Sequence, residues 1–262
     1  MDDIAEYDLE SIPTFPDSIL DSFSERFSCP NCKKQIKFFC YRCYYVPLDL
    51  KTLLPSIDLP LHLHIFKHFQ ELDGKSTAIH AKIVADKSVT IHKYPSQEPI
   101  SLDPKKCLLL YPGPDAKTME ELSIEGTLDN FTDIIVIDGT WKQARGMICS
   151  ESRPEHMRKH SVLQKNLLLN AQKLSIKPRK TKFWRYQNNG PSHLATIEAI
   201  YFMFYEYLLT KPNPDYQQIQ NIGNLMFFYK HFFNLIQNHY NSDKSKAYTS
   251  RHSTDYIKYN KS

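Results

Sequence analysis

The sequence predicts an α/β domain built on a mostly parallel sheet flanked by helices, with a small metal-binding module ahead of it. Three observations predict this class. Short aliphatic runs such as CLLL and IIVI end abruptly on Pro, Gly or Asp, as interior strands of a parallel sheet do. Two long stretches near the end of the chain repeat apolar residues at steps of three and four, the spacing of packed helices. Two Cys-x-x-Cys pairs stand close together near the start.

Taken in order, residues 1–25 hold eight acids and no Lys or Arg, with Pro13 and Pro16 among them, and read as an acidic flexible arm. The 33 Lys and Arg of the chain therefore face only the other 21 of its 29 acids. A basic body with an acidic arm suits a polyanionic partner, and the arm competes for the same surface. The start lacks the basic-then-apolar pattern of a secretory signal, so an intracellular protein is expected.

Residues 26–50 form the metal-binding module. Cys29 and Cys32 are followed, after seven residues, by Cys40 and Cys43. Each pair offers two thiolates from one turn, and the short connection brings the pairs around one tetrahedral ion. Disulfides are the alternative, but a reducing compartment disfavours them. Four thiolates leave no open coordination position, so the expected zinc is structural.

The main domain is expected over residues 51–240. AIHAKIVA, KSVTIHKY, CLLLYPGP, DIIVIDGT and NLLLN are its strand candidates. In IIVIDGTWKQA, a buried strand runs into Asp138, Gly139, Thr140 and Trp141 and then into a helix. Either Asp138 or Thr140 caps that helix with Trp141 packed behind it, or the corner is a ligand site at a strand's carboxyl end. Leu194, Ile197, Tyr201, Phe204 and Leu208 mark one closing helix, and the stripe from Ile219 to Tyr240 marks the other. His62, His64, His68, His80 and His92 share no helical face and read as surface or hydrogen-bonding groups. Cys107 and Cys149 read as inert core thiols. The most apolar stretch, IYFMFYEYLL, is short and carries Glu206, so no membrane span is expected. Residues 241–262 read as a polar disordered tail.

After the cysteine pairs come GKSTAIHAKIVA, LLLYPGPDA, IDGTW, KPRKTKFWRYQ and LATIEAIYFMF. In that order the blocks resemble the DTW-domain family of tRNA-uridine aminocarboxypropyltransferases, closest to its eukaryotic DTW domain-containing protein 1 branch. The resemblance implies a SPOUT-like, knotted fold with the co-substrate S-adenosylmethionine held at the carboxyl ends of the sheet. It implies transfer of the 3-amino-3-carboxypropyl group to N3 of a uridine in the tRNA D-arm, with release of methylthioadenosine. A SPOUT-type RNA methyltransferase and a non-catalytic zinc-containing RNA-binding protein are the rival readings. Nuclear residence is implied by the branch, with the cytoplasm as the alternative. The oligomeric state is left open, a monomer being the working expectation.

The family signature Asp-x-Thr-Trp falls on Asp138, Thr140 and Trp141, the implied catalytic residues. Asp138 either accepts the N3 proton or binds the donor's ammonium group. Thr140 orients a substrate group or caps the helix, and Trp141 packs on the donor or wedges helix against sheet. Leu110, Tyr111, Pro112, Asp138, Gly139, Leu194, Ala195 and Thr196 are the implied donor-binding positions. The family has Ser where this chain has Ala195, a lost helix cap for which Ser192 is the expected substitute. Lys177, Arg179, Lys180, Lys182, Trp184 and Arg185 interleave cations with a stacking ring and are the implied tRNA-binding residues, the alternative being a solvated strand whose aromatics turn inward. Lys33, Lys34, Lys37 and Arg42 of the zinc module either grip the tRNA as well or belong to a knuckle that only braces the fold.

Overall fold

The computed structural model describes residues 4–96, 100–149, 164–185, 190 and 192–243. An N-terminal segment with a 3-10 turn at Asp17–Ser22 leads into a small antiparallel hairpin, β1 (Phe27–Ser28) and β2 (Gln35–Ile36). The short helix α1 (Leu48–Lys51) precedes β3 (His62–His68), α2 (Ile79–Val84), β4 (Val89–Tyr94), β5 (Cys107–Leu110) and α3 (Met119–Ile124). Next come β6 (Asp133–Asp138), α4 (Trp141–Cys149), α5 (164–170) and β7 (Gln172–Leu174). Helices α6 (Thr196–Leu209), α7 (Tyr216–Ile222) and α8 (Phe227–Ser242) close the chain.

Five strands make one parallel sheet in the order β4-β3-β6-β5-β7. The central strand β6 buries Ile134, Ile135 and Val136, which explains its unbroken aliphatic run. Ile134 and Val136 join the large core beneath α2, α6 and α8, while Ile135 faces a second core with Met147, Ile148, Leu167 and Leu168 from α4 and α5. No helix among the described residues is long and apolar enough to cross a membrane.

The expected strands at residues 87–94, 107–114 and 133–140 appear as β4, β5 and β6. Two others do not. AIHAKIVA contains the helix α2, whose Ile79, His80, Ala81 and Val84 are buried together; its alanines favour the helix, and the burial does not alternate. NLLLN lies within α5, where Leu167 and Leu168 are buried and Leu169 is 49% exposed. Two strands of the parallel sheet escaped the sequence reading. Strand β3 is written in alternating histidines, and β7 is three residues long and reads QKL.

The histidines of β3 and β4 bond to one another. His64 shares hydrogen bonds with His92 at 2.9 Å and with Asp133 at 3.0 Å, and His62 with Thr90 at 2.8 Å. Burial lowers the pKa of His64 and pushes His92 down to about 4, with the neighbouring His64 adding to the shift.

The N-terminal arm is not free. Leu9, Ile12 and Leu20 are buried in the main core, and the Phe15 amide donates to Asn224 Oδ1 at 2.6 Å. The closing helical stripe breaks at Gly223 to receive this segment: a Cβ there would stand 1.9 Å from the Pro13 carbonyl oxygen. Three buried aliphatic side chains, each contributing about 1.5–3 kcal/mol, outweigh the repulsion among dispersed acids. Helix α8 reaches Ser242, and the expected tail lies outside the described residues from position 244 onward.

Two outcomes follow. Leu20→Ala should lower the unfolding free energy by about 2–5 kcal/mol in urea titration; a loss below about 1 kcal/mol would mean the segment is not packed. His92 has a folded pKa below its unfolded value, so the stability it contributes is present above about pH 6.5 and is lost as pH falls toward 4. Thermal melts from pH 7 to 4 should therefore fall less steeply for His92→Asn than for the wild type.

Candidate active site

Asp138 ends β6 and is 2% exposed. Its Oδ2 accepts from Ser76 Oγ at 2.6 Å and its Oδ1 from Thr196 Oγ1 at 3.0 Å. Burial pushes its carboxyl up; the two hydroxyls, and then Lys67, pull back without cancelling that effect. Lys67 stands opposite Asp138 in the β3–β6 register and pairs with Asp73 at 2.8 Å.

Beyond Asp138 the chain turns through Gly139, where a Cβ would lie 3.2 Å from His68 Cβ and 2.9 Å from Gln143 Oε1. That glutamine is needed where it is. It accepts from the Thr140 amide at 2.6 Å, while its own amide donates to Thr140 Oγ1 at 3.3 Å, a reciprocal cap for α4. Thr140 is therefore the helix cap, and Asp138 is not. Trp141 leaves the first turn of α4 toward Tyr111, at 6.0 Å between ring centroids, and meets His193 edge-on at 5.0 Å.

These rings wall a cleft of about 310 Å³ at the carboxyl ends of β5, β6 and β7. Of the expected donor-binding positions, Leu110–Pro112, Gly139, Leu194 and Thr196 line it, together with Trp141. Asp138 and Ala195 are buried behind the wall, and Thr140 is exposed outside it. His193 also lines the cleft, and its buried Nδ1 has no hydrogen-bond partner among the described residues. The sequence reading passed over this histidine, which no motif distinguishes.

Helix α6 begins beside the cleft without a side-chain cap on Ala195. Glu198 accepts from the Ala195 amide at 2.6 Å, and Thr77 Oγ1 accepts from the Ile197 amide at 3.2 Å. The hydroxyl missing at position 195 is thus supplied by Thr77. Ser192, the expected substitute, is exposed and makes no cap among the bonds seen. Ser76 and Thr77 lie in a block misread as the approach to a strand, which is why their pairing with Asp138 and α6 went unseen.

The DTW domain matches residues 37–237, which spans both cleft walls and the Asp-Gly-Thr-Trp corner. The chain belongs to the DTW-domain family. Relatives called tRNA-uridine aminocarboxypropyltransferase 1 include one from Xenopus tropicalis, 30% identical over 236 residues, covering 80% of this chain and 79% of its own. The human relative of that name is 31% identical over 256 residues, covering 82% of this chain and 78% of its own. No solved structure matches.

Within this DTW domain the predicted tRNA-binding residues divide. Arg179 lies over the Phe202 ring at 4.1 Å and pairs with the buried Glu206 at 2.6 Å. Lys180 and Lys182 pair with Glu6 at 2.9 and 3.6 Å, and the Tyr7 hydroxyl donates to Glu198. Trp184 packs against Phe183 and Tyr229 at 5.1 Å. Lys177, 63% exposed, pairs with Glu120, and Arg185 donates to the Gly74 carbonyl at 2.8 Å. Of these six, Arg179 and Lys182 are largely spent on the fold, while the exposed Lys177 keeps its head in solvent.

The four cysteine sulfurs Cys29, Cys32, Cys40 and Cys43 lie within 4.8 Å of one another. Tetrahedral zinc with about 2.3 Å bonds needs sulfurs about 3.8 Å apart, so the set fits. The two turns are equivalent. Lys33 and Tyr44 each adopt a positive φ, of 61° and 58°, and each donates its amide to the first cysteine's carbonyl, at 2.9 Å in both. Removal from water, followed by hydrogen bonds with Cys32 and Cys40, pushes the Cys43 thiol up to about 12. A divalent cation reverses that cost by holding the thiolates. Elemental analysis of the purified protein should find one zinc per chain. Cys40→Ser should lose most of it and melt at lower temperature; full metal content in that variant would refute the assignment.

Proposed function

We propose that this protein is a tRNA-uridine aminocarboxypropyltransferase with structural zinc. It transfers the 3-amino-3-carboxypropyl group of S-adenosylmethionine to N3 of a D-arm uridine and releases methylthioadenosine. The observation that carries the reading is the cleft itself, built around the Asp-Gly-Thr-Trp corner in a chain about 30% identical to proteins of that name. The parallel order of the sheet and the cleft's position at its carboxyl ends support a SPOUT-like arrangement, and the knot is proposed on the family resemblance alone. A nuclear location follows from the same resemblance.

The cleft fits the donor on its own chemistry. Apolar Leu110, Val136, Leu174 and Leu194 with the Tyr111 and Trp141 rings suit a purine, and the unpaired His193 nitrogen suits a polar atom of the ligand. The donor supplies an electrophilic methylene on a sulfonium, and the cleft must aim that carbon, not the methyl, at N3. Thr196 stands where the cleft meets Asp138. Its hydroxyl donates to Asp138 Oδ1, which leaves its oxygen lone pairs to accept from N3–H. The N3 proton then moves to Thr196 Oγ1 as the threonine proton moves to Asp138, while the N3–C bond forms and the C–S electrons stay on sulfur. A carboxylate whose pKa burial has raised is suited to receive that proton. Trp141 and Thr140 position the wall without touching the proton.

Asp138→Asn and Thr196→Val should each cut turnover by about 10²–10⁴-fold with tRNA affinity kept, measured as aminocarboxypropyl mass gain on D-arm fragments. Wild-type turnover should rise with pH as Asp138 ionises. Unchanged turnover in both variants would remove Asp138 from the reaction; a methyl-sized mass gain would make the protein a methyltransferase.

A further inference from the structure

A second cavity, of about 220 Å³, lies on the other side of Asp138 from the cleft and shares no lining residue with it. We propose that it is a nucleobase subsite that holds a base of the RNA substrate next to the one alkylated. The proposal rests on the tRNA reading above and adds a second point of contact to it.

The walls are aromatic. Tyr41 of the zinc module, Trp184 and Phe232 line the cavity, with Trp184 and Phe232 at 6.4 Å and inclined by 61°. Planar rings in this number offer stacking faces to a planar guest, and stacking tolerates any base. The volume is below the range that takes a drug-sized ligand, and it suits a single heterocycle.

Three buried polar side chains reach these walls: Ser76 and Thr77, bonded to Asp138 and to the start of α6, and His80. His80 lines the cavity, is 2% exposed, and its Nδ1 has no hydrogen-bond partner among the described residues. Burial drives its pKa down to about 3, so the ring is neutral and offers a hydrogen bond to a neutral edge, not a charge to a phosphate. A buried ring with an unsatisfied nitrogen at the chamber wall favours a guest with hydrogen-bonding groups, and the donor and acceptor edge of a base supplies them. The cations are elsewhere, at the rim. Lys75 is exposed there, and Arg185 is fixed by the Gly74 carbonyl, a disposition that suits the backbone phosphates flanking an inserted base.

The partition defines which base enters. Ser76 lines this cavity and Thr196 lines the cleft, and both donate to the one carboxylate of Asp138. Reacting atoms must approach to about 3–3.5 Å, so the alkylated base shares the cleft with the donor. A base on the far side of Asp138 is a neighbour, held to register the RNA.

The test uses fluorescence anisotropy of the full protein with labelled, unmodified tRNA transcript and no S-adenosylmethionine. Leu235→Trp changes a rim residue that is 42% exposed and closes the mouth; His80→Phe keeps the ring and removes its nitrogens. Leu235→Trp should weaken tRNA binding about tenfold, with S-adenosylmethionine affinity unchanged, and His80→Phe should weaken it several-fold. Transcript carrying 4-thiouridine should crosslink to peptides with Tyr41 or Trp184. Wild-type tRNA affinity in both folded variants, or crosslinks confined to the cleft, would overturn the proposal. Pocket-dependent binding without any transfer would leave this subsite standing and refute the proposed reaction, so the two failures are distinguishable.

Discussion

A carboxylate at the end of a central strand is taken out of water once helices cover both faces of the sheet, and an unpaired buried ion costs several kcal/mol. Asp138 is in that position, and two hydroxyls meet part of the cost. Ser76 comes from 62 residues before it and Thr196 from 58 residues after it. The approach to α2, the end of β6 and the start of α6 are thereby held at one point. The cleft, the second cavity and the wall between them all take their positions from this contact.

The same solution is repeated along α6. Glu198 and Glu206 are buried, and each draws in segments that would otherwise be loose. Glu198 collects the Tyr7 and Thr181 hydroxyls and the Lys182 amide. Glu206 collects Arg179 and the Lys177 amide. Residues 5 and 179 then lie side by side as a parallel bridge, so the acidic N-terminal segment and the basic stretch brace each other beneath the cleft. Between these two segments Glu6 pairs with both Lys180 and Lys182.

The four-cysteine module is tied to the same region. Arg42, between the two cysteines of its turn, pairs with Asp73, which also holds Lys67 beside Asp138. Phe39, one residue before Cys40, packs on Phe228 and His80. The module therefore contributes Tyr41 to the second cavity. A metal held by these four thiolates would act on function through shape, since a closed thiolate shell has no vacant position for chemistry.

The sequence by itself determined what depends on local spacing. It was enough for the parallel strands β4, β5 and β6, the helix α6, the cysteine cluster and the corner at residues 138–141, because strand runs, helical stripes and Cys-x-x-Cys turns are written within a few residues. It failed where local signals conflicted with burial: α2 passed for a strand, histidine-rich β3 was not read as one although its histidines do hydrogen-bond as expected, and the acidic arm passed for free chain despite Leu9, Ile12 and Leu20. Only the tertiary structure decided that Thr140 caps a helix, that Thr77 replaces a missing cap on α6, and that Asp138 divides two cavities. Those outcomes depend on groups far apart in the chain meeting in a space from which water is excluded, and no local pattern records such a meeting.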